Sequence, residues 1–161
     1  MSSTTAVLDH PAPAAAPARP DVVNDFSIVV ATPNGSGSQT ANISIIRSIF
    51  RMGIPVNGKN LFPSNIQGLP TWYTIRISKD GYIARREGTE ILVAFNEKTA
   101  EQDLASLPAG GICIHPLEWK FARSRTDVTY YGVPVKEFVK ASGAEDKIKN
   151  YIANMVYVGV L

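Results

Sequence analysis

The sequence is poor in the residues that hold metals. Its 161 residues include one cysteine, Cys113, and two histidines. A lone cysteine makes no internal disulfide and cannot by itself hold zinc or an iron–sulfur cluster, so any redox metal is expected in another chain. Long apolar runs are missing too, since none reaches the roughly 18 residues that a membrane-spanning helix needs. The start of the chain has neither the basic residues nor the apolar core of a secretory signal. With 45% hydrophobic and 19% charged residues, the composition is that of a single globular domain, expected in the cytoplasm with neither membrane nor nucleic acid as partner.

The opening stretch, MSSTTAVLDHPAPAAAPARPD, alternates proline with alanine and has no cluster of large apolar groups that would offset the entropy of ordering. Residues 1–24 are therefore expected to form a disordered Ala/Pro-rich tail, and 25–161 the folded domain. Acid is scarce between Ile43 and Arg86, where Arg47, Arg51, Lys59, Arg76, Lys79, Arg85 and Arg86 face Asp80 alone. That half favours anions, unless it is simply a solvated basic face.

Phe26–Thr32 reads as a buried strand of a parallel sheet, bounded by Pro33 and Gly35. Ile43, Ile46, Ile49 and Phe50 recur at helical spacing, Gly53 stops that helix, and Ile54–Val56 is expected to complete a right-handed strand, helix, strand unit. Asn57–Thr71 has neither period and reads as a long ordered loop, a kind that is usually functional. Trp72–Arg86 is expected to be a β-hairpin turning at Asp80 and Gly81. Further on come a strand over Glu90–Phe95, a helix from an Asn96 cap through Leu107, strands over Ile112–His115 and Val128–Val133, and a helix over Val135–Ala141. Ser142 and Glu145 suggest a capping box for a last helix, with Ile148, Ile152, Met155 and Val156 as its buried stripe. This helix is still running at Leu161, so the domain is expected to be truncated inside it. The alternation indicates an α/β fold, a Rossmann-like three-layer domain with a mostly parallel sheet and an inserted β-hairpin.

The loop PNGSGSQT falls at the carboxyl end of the first strand, where open α/β sheets collect ligands. Gly35 and Gly37 allow close backbone approach, Ser36 and Ser38 add hydroxyls, and the helix amino terminus favours a phosphate or carboxylate. The plainer alternative is a tight turn with Thr40 capping the helix. A dinucleotide fingerprint is disfavoured, because Thr40 stands at its third glycine and no acid occurs between Asp25 and Asp80 to bind a ribose. GIPVNGKN imitates a phosphate-binding P-loop but puts Asn60 at the magnesium-binding hydroxyl, and Pro63 bars an immediate helix.

Cys113 and His115 share one face of a strand, yet no acid in the sequence orients the histidine, and a structural role suits the cysteine better. The acid pairs Glu87/Glu90 and Glu97/Glu101 read as solvating residues. Trp72, Tyr73 and Tyr82 beside Arg85 and Arg86 are explained by cross-strand packing without nucleic acid.

Four stretches, NGSGSQTAN, GIPVNGKNLFPSNIQGLPTWYTIRIS, AFNEKTAEQDLASLPAGG and IKNYIANMVYVGVL, resemble in order the gamma domain that opens the alpha subunit of 2-oxoglutarate:ferredoxin oxidoreductases. The resemblance covers essentially Val23 to Leu161. The wider 2-oxoacid:acceptor oxidoreductase family often has Gly-x-Gly-Gly-Gln-Gly in the first loop. The departure here, Asn34 through Gln39, is the form that resembles the 2-oxoglutarate branch. The resemblance implies a complex that converts a 2-oxoacid, CoA and oxidised ferredoxin into an acyl-CoA, CO2 and reduced ferredoxin. It places thiamine diphosphate, Mg2+ and a [4Fe-4S] cluster on a beta subunit and no catalytic residue or metal ligand in this chain. With the anion-receiving loop, it points to coenzyme A bound at Asn34, Gly35, Ser36, Gly37, Ser38, Gln39 and Thr40, with Lys59, Ser64, Asn65 and Gln67 lining the approach. The alternatives are a free-standing nucleotide- or CoA-binding module, and the same family acting on pyruvate or another 2-oxoacid.

Overall fold

The computed structural model describes residues 23–63, 65–119 and 125–161; most of the expected tail, and Ser64, lie outside them. The elements in order are β1 (Asp25–Pro33), α1 (Ser38–Arg51), β2 (Val56–Leu61), β3 (Pro70–Ser78), β4 (Ile91–Ala94), α2 (Ala100–Ala105), β5 (Ile112–Pro116), β6 (Thr129–Val133), α3 (Val135–Ala141) and α4 (Lys149–Val160), with a 3₁₀ turn at Asp146–Ile148 before α4.

The strands form one sheet in the order β2-β3-β1-β4-β5-β6. β1, β4, β5 and β6 pair in parallel, whereas β3 is antiparallel to both β1 and β2. Two antiparallel steps return β2 to the direction of β1, so only β3 runs against the rest. Alternation along β1 separates two cores. Ile28 and Val30 pack with Ile75, Ile77, Val93 and Ile114 beneath α1, α3 and α4, while Ala31 joins Leu92, Ala94 and Cys113 beneath α2. Helices cover both faces, which gives the three layers. No helix among the described residues is long and apolar enough to cross a membrane.

Several expectations need correction. The first crossover ends on β2, two places from β1, because β3 inserts between them. The stretch expected as one loop from Asn57 is a strand up to Leu61, and among the described residues only 62–63 and 65–69 are irregular before β3 begins. Its polar Asn57, Gly58, Lys59 and Asn60 hid the strand, which is set at the sheet edge by pairing from Val56↔Ile77 to Leu61↔Trp72. Gly58 is needed there, since a Cβ would lie 2.2 Å from Ile46 Cδ1 and 2.7 Å from the Tyr73 ring. The inserted hairpin therefore consists of β2 and β3.

The Asp80–Gly81 turn does form, with Gly81 at φ 76° and its N–H donating to the Ser78 carbonyl. The chain beyond it cannot return along β3, because β1 and β2 already occupy both edges of that strand. Tyr82 and Ile83 are left exposed, and Arg86 reaches back to Asp25 and Glu90. Part of the basic half is thus spent internally. Arg76 is buried, pairs with Asp25 and donates to the Phe26 carbonyl at 3.2 Å.

α2 is shorter than expected. The Asn96 side chain accepts the Lys98 N–H at 3.2 Å and closes a local turn, so the helix starts only at Ala100. Ser142 ends α3 rather than opening α4: its hydroxyl donates to the Val139 carbonyl and accepts the Ala144 N–H, and no capping box forms. α4 departs in part from the expected stripe: Ile152 and Val156 are half-buried, Val156 against the core, but the other two members are not. Ile148 and Met155 are exposed, while Asn154 and Tyr157 are the buried residues.

Candidate functional site

The β1–α1 loop lies at the carboxyl ends of the parallel strands. It leaves β1 at Pro33 and reaches α1 through Gly35 and Gly37, at φ 80° and 81°. No other residue type has a positive φ among the described residues, so Ser36 separates two left-handed glycines. Such alternation turns successive N–H groups towards one side, the geometry of an anion-receiving backbone. α1 carries no side-chain cap and no acid in its first turn. Its leading N–H groups and the positive end of its dipole are thus open to an acceptor. Ser38 does not cap, because its hydroxyl is bonded to that of Thr32 at 2.8 Å, with both residues buried.

The second irregular segment is tied to the first. The Asn34 N–H donates to the Leu69 carbonyl at 2.7 Å, the Gly68 N–H donates to the Asn34 carbonyl at 2.9 Å, and the Asn34 amide donates to the Ile66 carbonyl at 3.2 Å. Gln67 lies against Gly35, where a Cβ would stand 3.0 Å from its Cγ. From the other side come two groups of α4: the Asn154 amide donates to the Ser36 carbonyl at 2.8 Å, and the Tyr151 ring covers Gly37.

Two cavities flank this loop. One of about 270 Å³ opens at the start of α1 and is lined by Thr32, Gly37, Ser38, Gln39, Asn60 and Tyr151, among others. The second, about 350 Å³, sits over the ends of β1, β4 and β5 and is lined by Ser36, Gln67, Phe95, Trp119, Lys136 and Asn154, among others. The Glu118 carboxylate accepts the Lys136 N–H at 2.6 Å at the start of α3.

The structure brings together most of the residues that the sequence singled out. Asn34, Gly35, Ser36, Gly37, Ser38, Gln39 and Gln67 line one cavity or both. Thr40 lines neither; it is exposed in the first turn, and its carbonyl accepts the Ser44 hydroxyl at 3.0 Å. Lys59 is exposed on β2, one residue out of phase with Gly58 and Asn60 on the α1 side, so it points to the opposite face of the sheet. Asn65 is exposed and lines neither cavity, and Ser64 lies outside the described residues.

Sequence reasoning missed Tyr151, Asn154 and Lys136, which arrive from the C-terminal part of the chain, far from the loop in sequence. Only the three-residue spacing of Tyr151, Asn154 and Tyr157 could have hinted at a common face.

Elsewhere the chemistry is quiet. Cys113 is fully buried, and burial foremost, with nearby Asp103, pushes its thiol up to about 12, which suppresses the thiolate. Among the described residues no three His, Cys, Asp or Glu side chains gather to hold a metal. The open helix end and the glycine turn suit phosphate groups.

An α/β domain with helices on both faces and a glycine-bearing loop at the carboxyl ends of its parallel strands belongs to the Rossmann-like class of three-layer folds. The family is more specific. Residues 27–161 match the model of the pyruvate ferredoxin/flavodoxin oxidoreductase family, and the chain belongs to that family.

Solved structures agree in fold. The chain resembles the 2-oxoglutarate:ferredoxin oxidoreductase of Magnetococcus marinus, whose structure has 2-oxoglutarate, coenzyme A and succinyl-CoA bound, with a TM-score of 0.70 and 20% identity. That likeness covers 81% of this chain but only 23% of the larger one. The keto/oxoacid ferredoxin oxidoreductase gamma subunit of Geobacter sulfurreducens is similar with a TM-score of 0.62 and 15% identity, over 83% of this chain and 73% of that one. A pyruvate oxidoreductase subunit of Thermotoga maritima follows with a TM-score of 0.53 and 14% identity, over 81% and 92%. No sequence among curated proteins matches the chain.

Proposed function

We propose that the chain serves as the gamma domain of a 2-oxoglutarate:ferredoxin oxidoreductase, contributing to CoA binding and to subunit assembly. The observation that carries this reading is the uncapped start of α1, reached through two left-handed glycines between two cavities. The family match and the likeness to an enzyme with CoA bound support it.

In this reading the phosphates of CoA lie against the loop backbone at Asn34–Gln39. The N–H groups supply fixed positive charge without having to reorganise. Asn34, Gly68 and Leu69 keep the backbone turn in place, and Gln67 bounds the approach. Thiamine diphosphate, Mg2+ and the [4Fe-4S] cluster belong to a partner beta subunit, which performs the decarboxylation and sends electrons to ferredoxin. This chain's residues bind and orient.

The test is the Michaelis constant for CoA after Gly37 is replaced by valine in the complete enzyme. It should rise at least about tenfold, the equivalent of about 1.4 kcal/mol, and an unchanged value would sink the assignment. CoA-dependent viologen reduction across several 2-oxoacids tests the substrate. Activity with pyruvate but not 2-oxoglutarate would move the protein to the pyruvate branch.

A further inference from the structure

α4 presents Tyr151, Asn154 and Tyr157 at three-residue spacing, on one side of the helix. All three meet the β1–α1 unit. The Tyr151 ring lies against Gly37, the Asn154 amide donates to the Ser36 carbonyl at 2.8 Å, and the Tyr157 hydroxyl donates to Asn42 Oδ1 at 3.0 Å, 3.4 Å from the Ser38 carbonyl oxygen. Asn154 and Tyr157 are 4% and 0% exposed. Polar groups so deep are retained only where they are paired, and these pair with the loop and the first turn of α1. The Tyr157 ring is braced edge-on by Phe95, 5.1 Å between centroids, just past the end of β4. A rigid strand thus supports the residue that supports the loop.

The consequence follows from peptide geometry. In a planar trans peptide the C=O and N–H point in opposite directions. By drawing the Ser36 carbonyl towards α4, Asn154 turns the Gly37 N–H the other way. Ser36 and Asn154 line the 350 Å³ cavity, whereas Gly37 lines the 270 Å³ cavity. The Gly37 N–H has no acceptor among the described residues.

We propose that Asn154, on a helix that Tyr157 ties to α1, is a positioning residue that fixes the Ser36–Gly37 peptide with its N–H facing the 270 Å³ cavity, making that cavity the seat of the anionic group. The identity of the anion as a CoA phosphate rests on the function proposed above. The peptide orientation does not. Asn154 touches no reacting atom; it acts through the loop, by keeping a carbonyl oxygen from facing a negative charge.

The test uses the complete enzyme with Asn154→Asp, which keeps the size of the side chain but cannot donate when ionised, together with Asn154→Ala and Tyr157→Phe. Two readouts are taken: KM and kcat for CoA, and amide hydrogen exchange over residues 33–42. Asn154→Asp and Asn154→Ala should raise KM for CoA about five- to tenfold, the range of one backbone hydrogen bond, with kcat at saturating CoA and KM for the 2-oxoacid unchanged. Exchange over the loop should accelerate, and Tyr157→Phe should show a smaller effect of the same kind.

If Gly37→Val raises KM for CoA while both Asn154 variants leave it unchanged, the positioning role is overturned and the CoA reading stands. If neither position affects KM, the CoA reading falls and exchange decides the rest. Faster exchange in the Asn154 variants then upholds the pinned peptide, and wild-type exchange overturns it.

Discussion

Gly37→Ala tests the loop by stability as well as by binding, because the cost has two separable sources. Gly37 sits at φ 81°, and placing a Cβ in the left-handed region costs roughly 1–2 kcal/mol. The second source is contact. An added Cβ would lie 2.5 Å from Tyr151 Cε1 and 2.8 Å from Cδ1, so the ring must withdraw by about 1 Å to reach the usual carbon–carbon separation of 3.5–4.0 Å. Tyr151 is 48% exposed and can yield outward, which limits this part to about 1 kcal/mol of lost packing. Gly37→Ala should therefore cost about 2–3 kcal/mol in the wild-type chain and about 1–2 kcal/mol in a Tyr151→Ala background. Urea unfolding followed by tryptophan fluorescence measures all four corners of the cycle. Equal costs in both backgrounds would refute the contact, and a negligible cost in the Tyr151→Ala background would refute the left-handed conformation.

Other predictions follow from single contacts. Gly58→Ala should cost about 1–3 kcal/mol through overpacking between α1 and β3, with partial rescue by Ile46→Val, since the added Cβ meets Ile46 Cδ1 at 2.2 Å; full stability by urea denaturation would count against it. Trp72→Phe removes the indole donor that reaches Asp103 Oδ1 at 2.8 Å and should cost about 1–3 kcal/mol, less in an Asp103→Asn background. Two carboxyls should shift acid stability in opposite directions. The hydrogen bond from Arg76 chiefly, with the charges of Arg76, Arg86 and Lys79, holds Asp25 below its ordinary 3.8. Its contribution is present above 3.8 and is lost as pH falls through the folded value. Burial chiefly raises Asp103 above 3.8, outweighing its hydrogen bonds. Stability from Asp103 is full below 3.8 and falls as pH rises through the folded value. In urea midpoints across pH 2.5–6, Asp25→Asn should remove a loss on acidification and Asp103→Asn a loss on alkalinisation; the reverse pattern would contradict both assignments. Finally, Cys113, with its thiol pushed up to about 12, should resist a thiol reagent at pH 8 until the chain is unfolded, and rapid native labelling would overturn its buried placement.

The elements with strong local signals were legible in the sequence. The apolar runs of β1, β4 and β5, the period of α1 and the extent of α3 all stand near their expected places. Failures came where tertiary pairing overrode local character. β2 carries Asn57, Gly58, Lys59 and Asn60, which argue against a strand until β3 lies beside them. The Asp80–Gly81 turn had the right chemistry for a hairpin, but both edges of β3 were already taken. α4 was read by its aliphatic residues, whereas Asn154 and Tyr157 turn inward because their polar ends find partners on the loop and α1. The glycine loop itself was visible as a local pattern, and so was Gln67. Lys59 was not placed correctly, since a one-residue phase in an edge strand decides which face it takes.

In the function proposed above, the β1–α1 loop receives CoA. Hydrogen exchange of the assembled enzyme, with and without saturating CoA, tests it most directly. CoA should slow exchange in the peptides spanning residues 33–40 and, through the hydrogen bonds of Asn34, residues 66–69. Protection confined to other parts of the complex, with these two segments exchanging as in the CoA-free enzyme, would contradict it.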